Sequence, residues 1–237
     1  MDKTLTIINQ IKKQNLLLAI ALIISLACQT QSYALSPQPP ELSILCIGDS
    51  ITQGGRQAEE YTYRYPLYQL LKSKHYKVNL IGSKKNGLDG NFTWPEHMDL
   101  DHEGYYGQKT VYVERAVIKN LGTLEKPDIA IIHLGTNDKV ISEDTITKPY
   151  KRIINALRAK NPRIKILLVQ IPGWKNLKLH FLVWKAAMEL GSNESPVRTI
   201  PLYKFWDNSK YTFDGVHPNQ VGQQKMANIF YEYITSN

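Results

Sequence analysis

Short apolar runs recur along the chain with room for one helix between each pair, and this spacing constrains the fold more than any other feature. The runs are "SILCIG" (43–48), "KVNLIG" (77–82), "DIAIIHLG" (128–135), "IKILLVQI" (164–171) and "RTIPLY" (198–203). They are apolar throughout rather than alternating, the pattern of strands covered on both faces. Between them, helical periodicity predicts helices near 61–74, 110–124, 145–160, 174–191 and 219–235. Strands and helices in alternation imply right-handed parallel crossovers. The expected fold class is therefore α/β, a three-layer α/β/α sandwich with about five parallel strands.

The first 34 residues stand apart from this pattern. Lys12 and Lys13 precede the apolar run "LLLAIALIISLA", and "SYA" then offers small residues at Ser32 and Ala34. That is the build of a secretory signal peptide. The apolar run, about a dozen residues, falls short of the roughly 20 that span a bilayer. We therefore expect a signal peptide over 1–34, a domain over 35–237, no stable membrane span after signal removal, and a secreted or periplasmic location. Retention as an anchor, or lipidation at Cys28, is the weaker reading, since Ser25 stands where a lipobox carries an aliphatic residue.

Signal removal takes three lysines and one aspartate with it, lowering the formal net charge from +8 to +6. The remaining lysines are scattered, with no arginine-rich face, so a solvated surface is expected and no nucleic-acid partner. Of the two cysteines, Cys28 leaves with the signal, and an internal disulfide is excluded in the mature chain. Export without a disulfide suits a domain large enough to rely on its core. Cys46, inside the first apolar run, reads as a buried small hydrophobe.

Open parallel sheets place their sites beyond the carboxyl ends of the strands. "GDS" follows the first run, "GTND" the third and "IPGW" the fourth, which carries Ser50 to that edge. Near the C-terminus, "FDGVHPNQVG" sets Asp214 and His217 three residues apart, just before the last helix. A serine nucleophile needs a base to take its proton and a carboxylate to orient that base. It also needs donors for an oxyanion, for which Asn137 and the glycine of "YYG", Gly107, are at hand.

In this order, "GDSIT", the Gly107 loop, "GTND" and "DGVHP" resemble the first, second, third and fifth blocks of the SGNH (GDSL) hydrolase superfamily, over nearly all of the chain after residue 34. The resemblance implies a flavodoxin-like SGNH hydrolase fold and an acyl-enzyme mechanism without metal or organic cofactor. It makes Ser50 the nucleophile, His217 the general base and then acid, and Asp214 its orienting partner. The oxyanion hole would comprise the N–H groups of Ser50 and Gly107 and the Asn137 amide. "DHEGYYGQKT" is similar to the "HEGHSGW" loop of acetyl xylan esterase-like carbohydrate esterases. Tyr105, Tyr106 and Gln108 depart from that loop, which has His, Ser and Trp in their places.

Other features read more plainly. The crowding of His97, Asp99, Asp101, His102 and Glu103 matches no zinc or calcium spacing, and a polar active-site loop is expected rather than a metal site. His133 reads as a satisfied core histidine and Trp184 as core. Trp94 and Trp174 fall in loops that should face the site and could stack on a sugar or simply pack. Trp206 admits both readings.

The leading function is an esterase that removes O-acetyl groups from a carbohydrate, acting as a monomer on a small ester or O-acylated carbohydrate. A lysophospholipase or acyl-thioesterase would use the same triad with a long apolar groove, which the 83–106 loop does not advertise. A non-catalytic binding protein would need the cleft obstructed.

Overall fold

The computed structural model describes residues 12–16, 18, 41–172 and 176–236. The chain divides into two compact units, residues 1–39 and 40–237. In the first, residues 12–16 and 18 are helical; the rest of the expected signal segment, including Cys28, lies outside the described residues, as does Trp174. No helix among the described residues is long and apolar enough to cross a membrane.

The second unit runs β1 (Glu41–Gly48), α1 (Ser50–Gln53), α2 (Arg64–Ser73), β2 (Lys77–Ile81), β3 (Glu103–Gly104), α3 (Thr110–Asn120) and β4 (Ile129–His133). A π-helical turn, Glu143–Thr147, leads into α4 (Lys148–Lys160), followed by β5 (Lys165–Val169), α5 (Leu177–Leu190), β6 (Val197–Ile200), α6 (Asn208–Tyr211) and α7 (Gln220–Thr235). Local signals set several of these ends. Pro149 sits in the first turn of α4, where its missing N–H costs nothing. Asn219 caps α7 by accepting the Gly222 N–H at 3.0 Å.

The strands form one parallel sheet of order β2-β1-β4-β5-β6, with β3 paired to β1 alone. The three-layer sandwich expected from the apolar runs is present, with a sixth strand that they did not announce. β3 takes over the edge of β1 where β2 ends, pairing Glu103 with Ile47 and Gly104 with Gly48. Two residues carry no readable periodicity.

Successive residues of β1 point to opposite faces. Leu45 and Ile47 enter one core with Ala130, Ile132 and Leu168 and with α3, α4 and α5; Ile44 and Cys46 enter the other with Ile131, Leu167 and the α2 and α7 residues Leu67, Leu71, Met226 and Phe230. Each fully buried Leu or Ile contributes about 1.5–3 kcal/mol, so the sheet is held from both sides. Burial pushes the Cys46 thiol up to about 11, an inert core group.

Two aromatic or histidine expectations need correction. Trp184 is 44% exposed, because its face of α5 points outward with Phe181. His133 is in the core, yet neither ring nitrogen has a hydrogen-bond partner among the described residues. Burial pushes its imidazole down to about 4, so it is held neutral rather than satisfied. Trp206 is packed into the α7-side core.

Candidate active site

The register of three strands assembles the site. Gly48 of β1 lies between Gly104 of β3 and His133 of β4, and each strand delivers its following loop to the same edge of the sheet. Ser50 follows β1, Tyr106 and Gly107 follow β3, and Asn137 follows β4. The turn out of β1 is very tight. A Cβ on Gly48 would stand 2.1 Å from Thr52 Oγ1 and 2.9 Å from the His133 carbonyl oxygen, so only glycine fits.

Ser50 opens the short helix α1, where Asp49 accepts the Ile51 N–H at 3.1 Å as its cap. Its Oγ lies 3.1 Å from His217 Nε2, and His217 Nδ1 lies 2.8 Å from Asp214 Oδ2. An ionised carboxylate only accepts, so Nδ1 carries the proton and Nε2 offers its lone pair to the Ser50 hydroxyl. Asp214 Oδ1 also accepts the backbone N–H groups of His217 (2.8 Å) and Val216 (3.1 Å). Arg56 Nη2 donates to Asp214 Oδ2 at 2.9 Å. Desolvation would raise the Asp214 carboxyl, but the His217 backbone and ring, Arg56 and the Val216 N–H outweigh it and hold it well below the usual carboxylate range. Asp214 thus stays ionised throughout the working pH range.

Gly107 adopts φ +71°, which suits glycine, and its N–H donates to no group among the described residues. Asn137 Nδ2 donates to the Gln108 carbonyl at 3.1 Å, keeping one further hydrogen on the same nitrogen. Next to it, Asp138 accepts from both the N–H (3.0 Å) and the hydroxyl (2.7 Å) of Thr110, so the loops after β3 and β4 are tied together. The structure joins Ser50, His217 and Asp214 in one hydrogen-bond chain, and the Asn137 side chain is bonded to the loop that carries Gly107.

Other residues were silent in the sequence. Gln53 is buried, and its Oε1 accepts from Tyr106 N–H (2.8 Å) and Lys84 Nζ (3.1 Å); Lys84 Nζ also donates to the Gly104 carbonyl at 2.8 Å. This clamp joins the helix of Ser50 to the Gly107 loop. Arg64, fully buried, donates to the carbonyls of Thr52 (2.9 Å), Gln53 (3.4 Å) and Leu100 (2.9 Å), closing the carbonyl end of α1. Arg56 is held by its backbone N–H on Glu60 Oε2 at 2.8 Å. None of these belongs to a motif; each is defined by what the fold puts beside it.

The polar 95–104 loop acts as a staple. Asp99 accepts the Leu80 N–H at 2.7 Å, Glu103 the Ser83 N–H at 2.7 Å, and His102 Nδ1 the Gly104 N–H at 2.9 Å. Among the described residues, no group of three or more His, Cys, Asp or Glu is placed to hold a metal. Trp94 packs against Phe92 at 4.7 Å, with the Arg64 guanidinium 5.4 Å from its ring centre.

A cavity of about 140 Å³ is lined by Ile51, Thr136, Ile171, Pro172, Asn176 and Val216 among others, chain neighbours of Ser50, Asn137 and His217 rather than those residues themselves. A larger one, about 460 Å³, lies between α5 and the β6 edge and includes none of Ser50, Asp214 and His217.

This arrangement on a three-layer α/β/α sheet defines a hydrolase of the serine-nucleophile class. Residues 46–225 match the GDSL-like lipase/acylhydrolase family, and the chain belongs to that family. It is 30% identical over 245 aligned positions to a multidomain esterase of Ruminococcus flavefaciens, covering 89% of this chain and 31% of that protein. The chain thus spans about a third of that relative's length. Its structure is similar to a carbohydrate esterase family 3 protein from Talaromyces cellulolyticus, with TM-score 0.68, 28% identity, and coverage of 81% and 96% of the two chains. A family 3 carbohydrate esterase from Clostridium thermocellum shares the fold at TM-score 0.68 and 23% identity, covering 81% and 94%.

Beneath Ser50, Asp49 is fully buried and its Oδ2 has no hydrogen-bond partner among the described residues. Desolvation pushes the carboxyl up to about 6, against the pull of the Ile51 N–H and of His217. The folded chain therefore holds this proton more tightly than the unfolded chain does, and Asp49 loses stabilising effect as pH rises from about 4 to about 6. Asp49→Asn preserves the cap oxygen without the buried charge. Urea unfolding of both proteins should show the variant gaining stability relative to wild type between pH 4 and pH 7; a pH-independent difference would contradict this account.

Proposed function

We propose that the chain is a serine ester hydrolase that removes O-acetyl groups from a carbohydrate. Ser50 attacks the ester carbonyl while His217 takes its proton, and the Ser50 and Gly107 N–H groups and the Asn137 amide receive the oxyanion. Collapse of the tetrahedral intermediate expels the alcohol and leaves an acyl group on Ser50. Water, activated by the same imidazole, then releases the acid.

The acyl preference rests on the similarity to the family 3 carbohydrate esterase, which favours a short acyl group over the lysophospholipase and acyl-thioesterase alternative. A cavity of about 140 Å³ lined by Ile51, Thr136 and Val216, the chain neighbours of Ser50, Asn137 and His217, has room for an acetyl group. The hydrogen-bond chain from Ser50 Oγ through His217 to Asp214 argues against a non-catalytic binding protein. Support for a carbohydrate alcohol comes from the similarity to the family 3 carbohydrate esterase of Talaromyces cellulolyticus.

Export is part of the proposal and rests on residues 1–34. The exported protein should begin at Leu35 by intact mass; a mass that includes residues 1–34 would overturn export by cleavage. Initial rates on p-nitrophenyl acetate, butyrate and octanoate should fall steeply with chain length, and Ser50→Ala should abolish them. Octanoate preference would assign the site to lipid or thioester substrates, and activity undiminished in Ser50→Ala would remove Ser50 from the mechanism.

A further inference from the structure

Two hydroxyls face the one lone pair of His217 Nε2. Ser50 Oγ lies 3.1 Å away, as a nucleophile must, and Tyr106 Oη lies 3.2 Å away. The Tyr106 ring is stacked on the imidazole, with centroids 5.5 Å apart and planes inclined by 16°. Its backbone is held as firmly, by the 2.8 Å bond from Tyr106 N–H to Gln53 Oε1. The phenol is therefore a fixed part of the site.

Its position matters at one step. When the tetrahedral intermediate on Ser50 collapses, the leaving oxygen must receive a proton from Nε2–H, which requires close approach to that nitrogen. Ser50 and Tyr106 both contact Nε2, so the leaving oxygen enters a space bordered by the phenol hydroxyl. Burial, with the charges of Glu60, Asp214 and Asp49, pushes this phenol up to about 12, and it remains a neutral donor.

We propose that Tyr106 is a further catalytic residue, which relays the His217 proton to the leaving alcohol. As the carbonyl re-forms, the C–O bond to the alcohol breaks and its electron pair stays on the departing oxygen. Tyr106 Oη–H gives its proton to that oxygen while Oη takes the proton from Nε2–H. The imidazole ends neutral, the phenol ends as it began, and the alcohol leaves protonated.

This inference rests on the ester-hydrolase reading and makes a demand specific to the alcohol. A basic alkoxide, such as that of a sugar or of ethanol, needs a proton as it departs; p-nitrophenolate does not. Tyr106→Phe preserves the ring stack and the backbone bond to Gln53. Wild type and Tyr106→Phe are compared on p-nitrophenyl, trifluoroethyl and ethyl acetate. The variant is expected to lose about 10- to 100-fold more kcat/KM on ethyl acetate than on p-nitrophenyl acetate, with trifluoroethyl acetate between them. A uniform loss across the three would reduce Tyr106 to packing, and a gain would make the phenol a competitor of Ser50; both overturn the relay. A wild type inactive on every ester would overturn the hydrolase reading itself, and the relay with it.

Discussion

Everything at this site depends on β1 being paired on both edges up to its last residue. β4 runs along one side, and on the other β2 gives way to β3, so that Gly48 has hydrogen-bonded neighbours left and right. Tyr105 N–H continues the ladder onto the Gly48 carbonyl at 2.9 Å. A strand held this way ends at a defined point, and the abrupt turn through Asp49 puts Ser50 above it. The loops that carry Gly107 and Asn137, the proposed oxyanion donors, leave the two flanking strands level with the end of β1.

The electrostatics follow from the same placement. Arg64 supplies donors to the carbonyl end of α1 from within the core, and Arg56 supplies a charge to Asp214 at the surface. The two arginines have different jobs. Arg64 satisfies backbone oxygens that no water can reach, while Arg56 keeps the carboxylate ionised and turned toward His217. Asp49 carries a cost in the opposite sense, a carboxyl buried with one oxygen unpaired directly under the nucleophile. An imidazolium at His217 favours its ionised form.

The parallel sheet and the residues Ser50, Asn137, Asp214 and His217 were legible because each leaves a local mark: an apolar run, a small-residue turn, or a D-x-x-H spacing before a helix. β3 left none, since two residues have no period, although the whole register of the Gly107 loop depends on it. Gln53, Lys84, Arg56 and Arg64 were hidden for a related reason. Their roles are defined by partners 31, 20, 158 and 36 positions away, which no local pattern encodes. Trp184 misled because an apolar residue at a helical position reads as core whichever way its helix face turns. His133 was placed correctly inside, but burial alone does not provide a histidine with partners.

If this geometry activates Ser50 as the nucleophile, an organophosphate that reacts only with an activated hydroxyl should find it. Treatment with diethyl p-nitrophenyl phosphate, with the adduct located by peptide mass spectrometry, should give one diethylphosphoryl group, on Ser50, accumulating in step with the loss of esterase activity. Activity lost with the group on another residue, or an active protein that takes up none at Ser50, would contradict that activation.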